Sequence, residues 1–119
     1  MSALESAVHG LRQAVDAPSG PSWRRAVRRQ LALVRDALTQ DQEASTRADG
    51  WLAARMETQD RARHHLLARV SAMRPKVRDR LEHDVPTDVR RLLCDLEHYL
   101  QRTHDLAYDA VALELGGSE

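Results

Sequence analysis

The chain has 119 residues, enough for one domain that hides roughly two thirds of its unfolded surface in a single core. Eighteen basic residues balance eighteen acidic ones, and a formal charge of zero gives no global attraction to nucleic acid or to an anionic membrane surface. Aromatic residues, at 3%, are too few for a β-sandwich or a base-stacking surface, and no apolar run approaches the ~18 residues that span a bilayer.

Two further features of composition set expectations. Cys94 is the only cysteine, so no internal disulfide is available, and the first residues lack the basic and apolar segments of a signal peptide; a cytoplasmic protein is expected. Phe, Ile and Asn are absent and Lys76 is the sole lysine against 17 arginines, which points to a GC-rich bacterial gene and removes weight from the arginine excess.

In chain order, a first helix is expected from about Ser2 to Asp16. Leu4, Ala7, Val8, Leu11 and Val15 recur at the three-and-four spacing that gathers them on one face. Ala17-Pro18-Ser19-Gly20-Pro21 then stops it. Ser22 is the expected N-cap for a second helix, whose stripe is Trp23, Val27, Leu31, Val34 and Leu38 and which runs to about Glu43 or a little beyond. Asp49-Gly50 reads as the break. A third helix starts near Trp51, with Leu52, Met56, Leu66, Leu67, Val70, Met73, Val77 and Leu81 on its stripe. From Glu57 to His65 its only apolar residue is Ala62, and Pro75 predicts a kink or a division into two pieces. After a turn at His83-Asp84-Val85-Pro86, capped by Thr87 or by Asp84 with Pro86 in the first turn, a fourth helix carries Val89, Leu92, Leu93, Leu96, Leu100, Leu106, Ala107, Ala110 and Leu113. It ends at Gly116-Gly117. Connections of about two to six residues place successive helices side by side and antiparallel. The expected fold is all-α, an up-down four-helix bundle in one domain covering residues 1–119.

The stretch Thr46-Arg47-Ala48-Asp49-Gly50-Trp51-Leu52 and the tail from Gln101 through Asp109-Ala110 to Leu115-Gly116-Gly117 resemble segments of small bacterial hemerythrin-like bundle proteins. The likeness covers about a third of the chain. It implies a four-helix bundle whose core can hold two irons on histidine and carboxylate ligands from all four helices. Carried over by position, the helix-two histidine falls on Asp41 and the glutamate of the following turn on or beside Thr46. Helix three offers Asp60 and His64 where that group has two histidines, and helix four offers His104 and Asp109. The candidate metal set is therefore Asp41, Asp60, His64, His104 and Asp109, with iron or another divalent metal as the cofactor to test.

Other polar residues suggest less. Asp95-x-x-His98 is half of a ferritin-like pattern whose remaining carboxylates are missing. Arg24, Arg25, Arg28 and Arg29 make a basic strip on helix two that could meet phosphate or an acidic protein, or could be a solvated face. Cys94, beside Leu93, reads as a small buried hydrophobe. There is no Ser-His-Asp arrangement, Gly-rich phosphate loop or Cys-x2-Cys pattern.

Apolar stripes that are complete beside a ligand set that is not make the leading expectation a non-enzymatic interaction or accessory domain. Its partner would be a protein or a second copy of the chain, with no membrane, no catalytic residues and no cofactor. The second expectation is metal or small-ligand binding in the bundle core by the five residues above. The third is a surface for nucleic acid or an acidic partner, which requires the helix-two arginines to be unpaired and to join others in a patch; the neutral charge balance argues against nucleic acid.

Overall fold

The four stretches of three-and-four spacing are four α-helices: α1 (Ala3–Asp16), α2 (Pro21–Thr46), α3 (Gly50–Asp79) and α4 (Asp84–Gly116). This computed structural model describes the backbone of residues 2–18, 20–46, 50–79 and 84–116, and the side chains of these except 45, 46, 50–55, 110, 111 and 113–116. No strand occurs among the described residues.

Local chemistry sets the helix ends. Ser2 is the N-cap of α1: its hydroxyl accepts from the Glu5 N–H at 3.1 Å, satisfying one of the amide donors that a helix start leaves without a partner. α2 begins one residue before the expected cap at Ser22. Pro21 takes the first helical position, where its missing N–H costs no helical hydrogen bond, and the Arg24 N–H closes the first turn onto the Gly20 carbonyl at 3.1 Å. α4 starts at Asp84, which puts Pro86 in the first turn for the same reason. α3 runs through Pro75 as one element, so the division into two pieces does not occur. Proline deprives the Ser71 carbonyl of its helical donor, but both residues are exposed and water can serve that carbonyl. The breaks expected at 47–49 and at His83, and the stripe position Leu81, lie outside the described residues.

The helices form a ring in which α1 packs on α2 and α4, and α3 packs on α2 and α4, with no diagonal pair in contact among the described residues. Paired positions fall along one helix as they rise along its neighbour. Across α1 and α4, Glu5 meets His104, Arg12 meets Glu97 and Asp16 meets Arg90. Across α3 and α4, Gln59 meets Thr103, Arg63 meets Tyr99 and Arg69 meets Asp95. Adjacent helices along both seams therefore run in opposite senses, as short connections require.

The core is the sum of the four stripes. Leu4, Val8, Leu11 and Val15 of α1, Trp23, Val27, Leu31, Val34 and Leu38 of α2, Leu66, Val70 and Val77 of α3, and Val85, Val89, Leu92, Leu93 and Leu96 of α4 are all buried. Each large side chain withdrawn from water contributes about 1.5–3 kcal/mol, and this is the main force holding the ring closed. Trp23 is anchored as well as buried, because its indole Nε1–H donates to the Val15 carbonyl at 3.2 Å near the C-terminal end of α1. Arg24 donates to the Val77 carbonyl at 2.7 Å and so serves one of the last carbonyls of α3. Arg12 and Glu97 form a two-pronged pair, with Nε to Oε2 at 2.7 Å, in which each holds the other charged.

Gly10 of α1 faces Gln30 of α2 closely enough that an added Cβ would touch the Gln30 amide group. That group is the free end of a flexible side chain. Gly10→Ala is therefore expected to stabilise the fold by about 0.5–1 kcal/mol through helix propensity, with Gln30 turning aside. A fall in melting temperature would show instead that the amide cannot move.

The four lengths are unequal, and this matters most for function. α1 has 14 residues against 26, 30 and 33 for α2, α3 and α4. At 1.5 Å per residue these are ~21, ~39, ~45 and ~50 Å, within a molecule 58 Å long. The start of α1 meets α4 at His104, so the last turns of α4 have no α1 beside them. The ring changes from four helices to three at this level. No described helix is long and apolar enough to cross a membrane.

Candidate functional site

The buried stripe of α3 does not stop at Leu66. Going backwards from Val77, the alternating steps of four and three lead through Met73, Val70 and Leu66 to Arg63 and Gln59. These last two are the only polar side chains fully buried among the described residues, at 3% and 2% exposure. The apparent gap in the stripe is thus a polar continuation of it, directed inward. The Gln59 amide donates to the Tyr99 carbonyl at 3.3 Å and to the Thr103 hydroxyl at 2.9 Å, and Thr103 in turn donates to the Tyr99 carbonyl at 2.9 Å. Arg63 donates to the Tyr99 hydroxyl at 3.3 Å and forms an ion pair with Asp60, one turn before it. Its Nε–H is buried and meets no acceptor among the described residues. An orphaned buried donor costs about 1–3 kcal/mol, so the arrangement is not the one that stability alone would select.

Beside this cluster, where α1 begins, lies a groove of about 440 Å³. Leu4 of α1, Met56 of α3 and Leu100 and Ala107 of α4 give it apolar walls, with Arg63 and Tyr99 at its base. Its ionisable groups are Glu5, Asp41, Arg63 and His104. The groove lies where α1 begins: Ser2, Leu4 and Glu5 at its first turn face residues of the longer α2, α3 and α4.

Asp41 continues the α2 stripe beyond Leu38 and reaches the groove because α1 no longer covers it. The residue is exposed, but partial burial pushes its carboxyl above the usual aspartate range, and the positive charge of Arg63 pulls it part of the way back. No ion pair or hydrogen bond to the Asp41 side chain is present among the described residues. Opposite, the His104 ring Nε2 lies 2.9 Å from Glu5 Oε1 and ties α4 to the first turn of α1.

Of the five candidate metal positions, the structure brings Asp41 and His104 to the same groove and separates the rest. Asp60 is engaged by Arg63, while His64 and Asp109 are exposed. Among the described residues no three His, Cys, Asp or Glu side chains form a group that could hold a metal ion. The inward positions on α3 belong to Gln59 and Arg63, one residue before Asp60 and His64.

Elsewhere, Cys94 is exposed, not buried. It lies off the face defined by Val89, Leu92, Leu93 and Leu96, so adjacency to Leu93 is the wrong guide. The basic strip of α2 divides: Arg24 serves the α3 carbonyl, while Arg28 lines a notch with Arg74 and Arg78 of α3.

Sequence reasoning missed Arg63, Gln59, Tyr99 and Glu5. The first two carried a signal, since extending the α3 spacing backwards lands on them; Tyr99 and Glu5 matter only through the register between helices. No family model, curated protein or solved structure matches this chain.

Proposed function

We propose that this protein is a non-enzymatic binding domain that holds a small amphipathic cation in the groove at the start of α1. The reading rests on one observation: a mostly apolar groove of ligand size contains an aspartate that is partly desolvated and has no ion-pair partner among the described residues. A volume of about 440 Å³ lies within the range of small-molecule sites, which combine apolar walls with a few convergent polar groups. The sign of the ligand follows from the charges. Arg63 is matched by Asp60 and Glu5 is engaged by the His104 ring, whereas Asp41 has no ion-pair partner among the described residues and is the carboxylate left for a ligand. An anionic head group would meet both carboxylates; a cationic one would relieve Asp41. Arg63 has a supporting part, because its charge favours the ionised form of Asp41 that a cation needs.

Asp41→Asn separates binding from stability. A carboxyl whose folded-state pKa is raised favours folding when protonated, so its penalty is absent below the ordinary aspartate range and fully present above the raised value. The variant should therefore melt slightly higher than the parent near pH 7, with the difference vanishing in acid. In calorimetric titrations near pH 7, n-octylammonium should bind the parent at one site and bind Asp41→Asn about tenfold more weakly. Octanoate should not compete. Equal binding of octanoate and octylammonium, or an unchanged affinity in Asp41→Asn, would contradict the proposal.

A further inference from the structure

The opposite end of the molecule carries a second concavity, of about 490 Å³, between α2 and α3. Its lining is Arg28 of α2 with Ser71, Arg74, Pro75 and Arg78 of α3. Three arginines line this one notch in a chain whose total formal charge is zero. Asp79 answers one of them, accepting from Arg78 Nε and a terminal nitrogen at 2.9 and 3.0 Å. Arg28 and Arg74 have no ion-pair partner among the described residues. Arg28 is close enough to Asp79 to help hold that carboxyl below its usual range, but it does not contact it. Among the described residues that line or contact it, the notch therefore sets three arginines against one carboxylate. Pro75 shapes the wall without offering an N–H, and the exposed Ser71 can supply a hydroxyl donor.

We propose that this notch is a binding site for a single phosphate dianion, as free phosphate or as the monoester of a small molecule. Guanidinium groups present paired N–H donors that match the oxygens of a tetrahedral oxyanion, and three of them converging on one concavity suit a compact multivalent anion. A nucleic-acid backbone would call for cations spread along a track. Here Arg24, next on the same face of α2, is already committed to the Val77 carbonyl and does not extend the notch into such a track.

The test is calorimetric titration of the full chain with inorganic phosphate and with phenyl phosphate, using sodium chloride at matched ionic strength as the blank. Saturable binding at one site is expected, weakened about tenfold in Arg74→Gln and in Arg28→Gln. Arg25→Gln and Arg29→Gln, outside the notch lining, should retain the parent affinity. Melting curves of all four variants guard against loss of fold; if Arg74→Gln unfolds, Arg28→Gln on the other helix decides. No binding beyond the chloride blank would overturn the site. Equal weakening by all four substitutions would also overturn it, since that is the mark of diffuse attraction. Salt-sensitive binding of duplex DNA without saturable phosphate binding would overturn it in favour of a nucleic-acid surface.

Discussion

Asp60→Ala is expected to destabilise the fold by about 2–4 kcal/mol, while Arg63→Met changes stability by less than about 1 kcal/mol. The two substitutions remove opposite ends of one ion pair, and their inequality follows from burial. The Arg63 side chain is 4% exposed and that of Asp60 is 31% exposed. Losing Asp60 strands a guanidinium inside the bundle with the Tyr99 hydroxyl as its remaining described acceptor. Losing Arg63 instead leaves a carboxylate that water can reach, eliminates the orphaned Nε–H, and lets a methionine of similar length fill the space. Urea denaturation near pH 7 measures both. If Arg63→Met costs as much as Asp60→Ala, the arginine is there to stabilise the bundle, and its support of Asp41 loses force as an explanation.

The second large effect is at the four-helix level of the core. Leu96→Ala is expected to cost about 3 kcal/mol, because a fully buried leucine leaves a cavity that surrounding helices fill only in part. At the size of this chain that lowers the melting temperature by roughly 10–15 °C. Leu96 is buried because all four helices are present at its level, where Arg12 of α1 meets the adjacent Glu97. Leu106 lies past His104, beyond the start of α1, and is only half-buried. Leu106→Ala should therefore cost less than half as much, about 1 kcal/mol. Equal losses at the two positions would mean that the bundle is closed by a fourth element along its whole length.

The number of helices and most of the core could be read from the residues. α1, α2 and the first half of α4 have apolar stripes without interruption, and local spacing alone identifies them. α3 is harder because an apolar pattern is silent where Gln59 and Arg63 take inward positions. The hemerythrin-like resemblance points instead to Asp60 and His64, which differ from the buried pair by one residue and hence by a rotation of about 100° around the helix. At Pro75 the division into pieces does not occur, and the affected carbonyl belongs to exposed Ser71, where water can serve it. Cys94 shows the same limit, since a neighbour along the chain is not a neighbour on a face.

The groove was half legible. The brevity of the first helix and the continuation of the α2 stripe into Asp41 are both sequence features, and together they imply an aspartate where the fourth wall ends. Which groups from other helices face it depends on register, and that is fixed by tertiary pairs such as Glu5 with His104 and Gln59 with Thr103. The same holds for the arginine notch, where Arg28 and Arg74 are far apart in the chain and become neighbours only through the packing of α2 on α3.

The most direct test of the groove as a ligand site is a methyl-resolved NMR spectrum followed during addition of n-octylammonium. The account predicts saturable shifts at Leu4, Met56 and Leu100, from three different helices, with Leu31 and Leu92 in the closed core unmoved. Shifts that never saturate, or that appear in the core and not at those three residues, would contradict it.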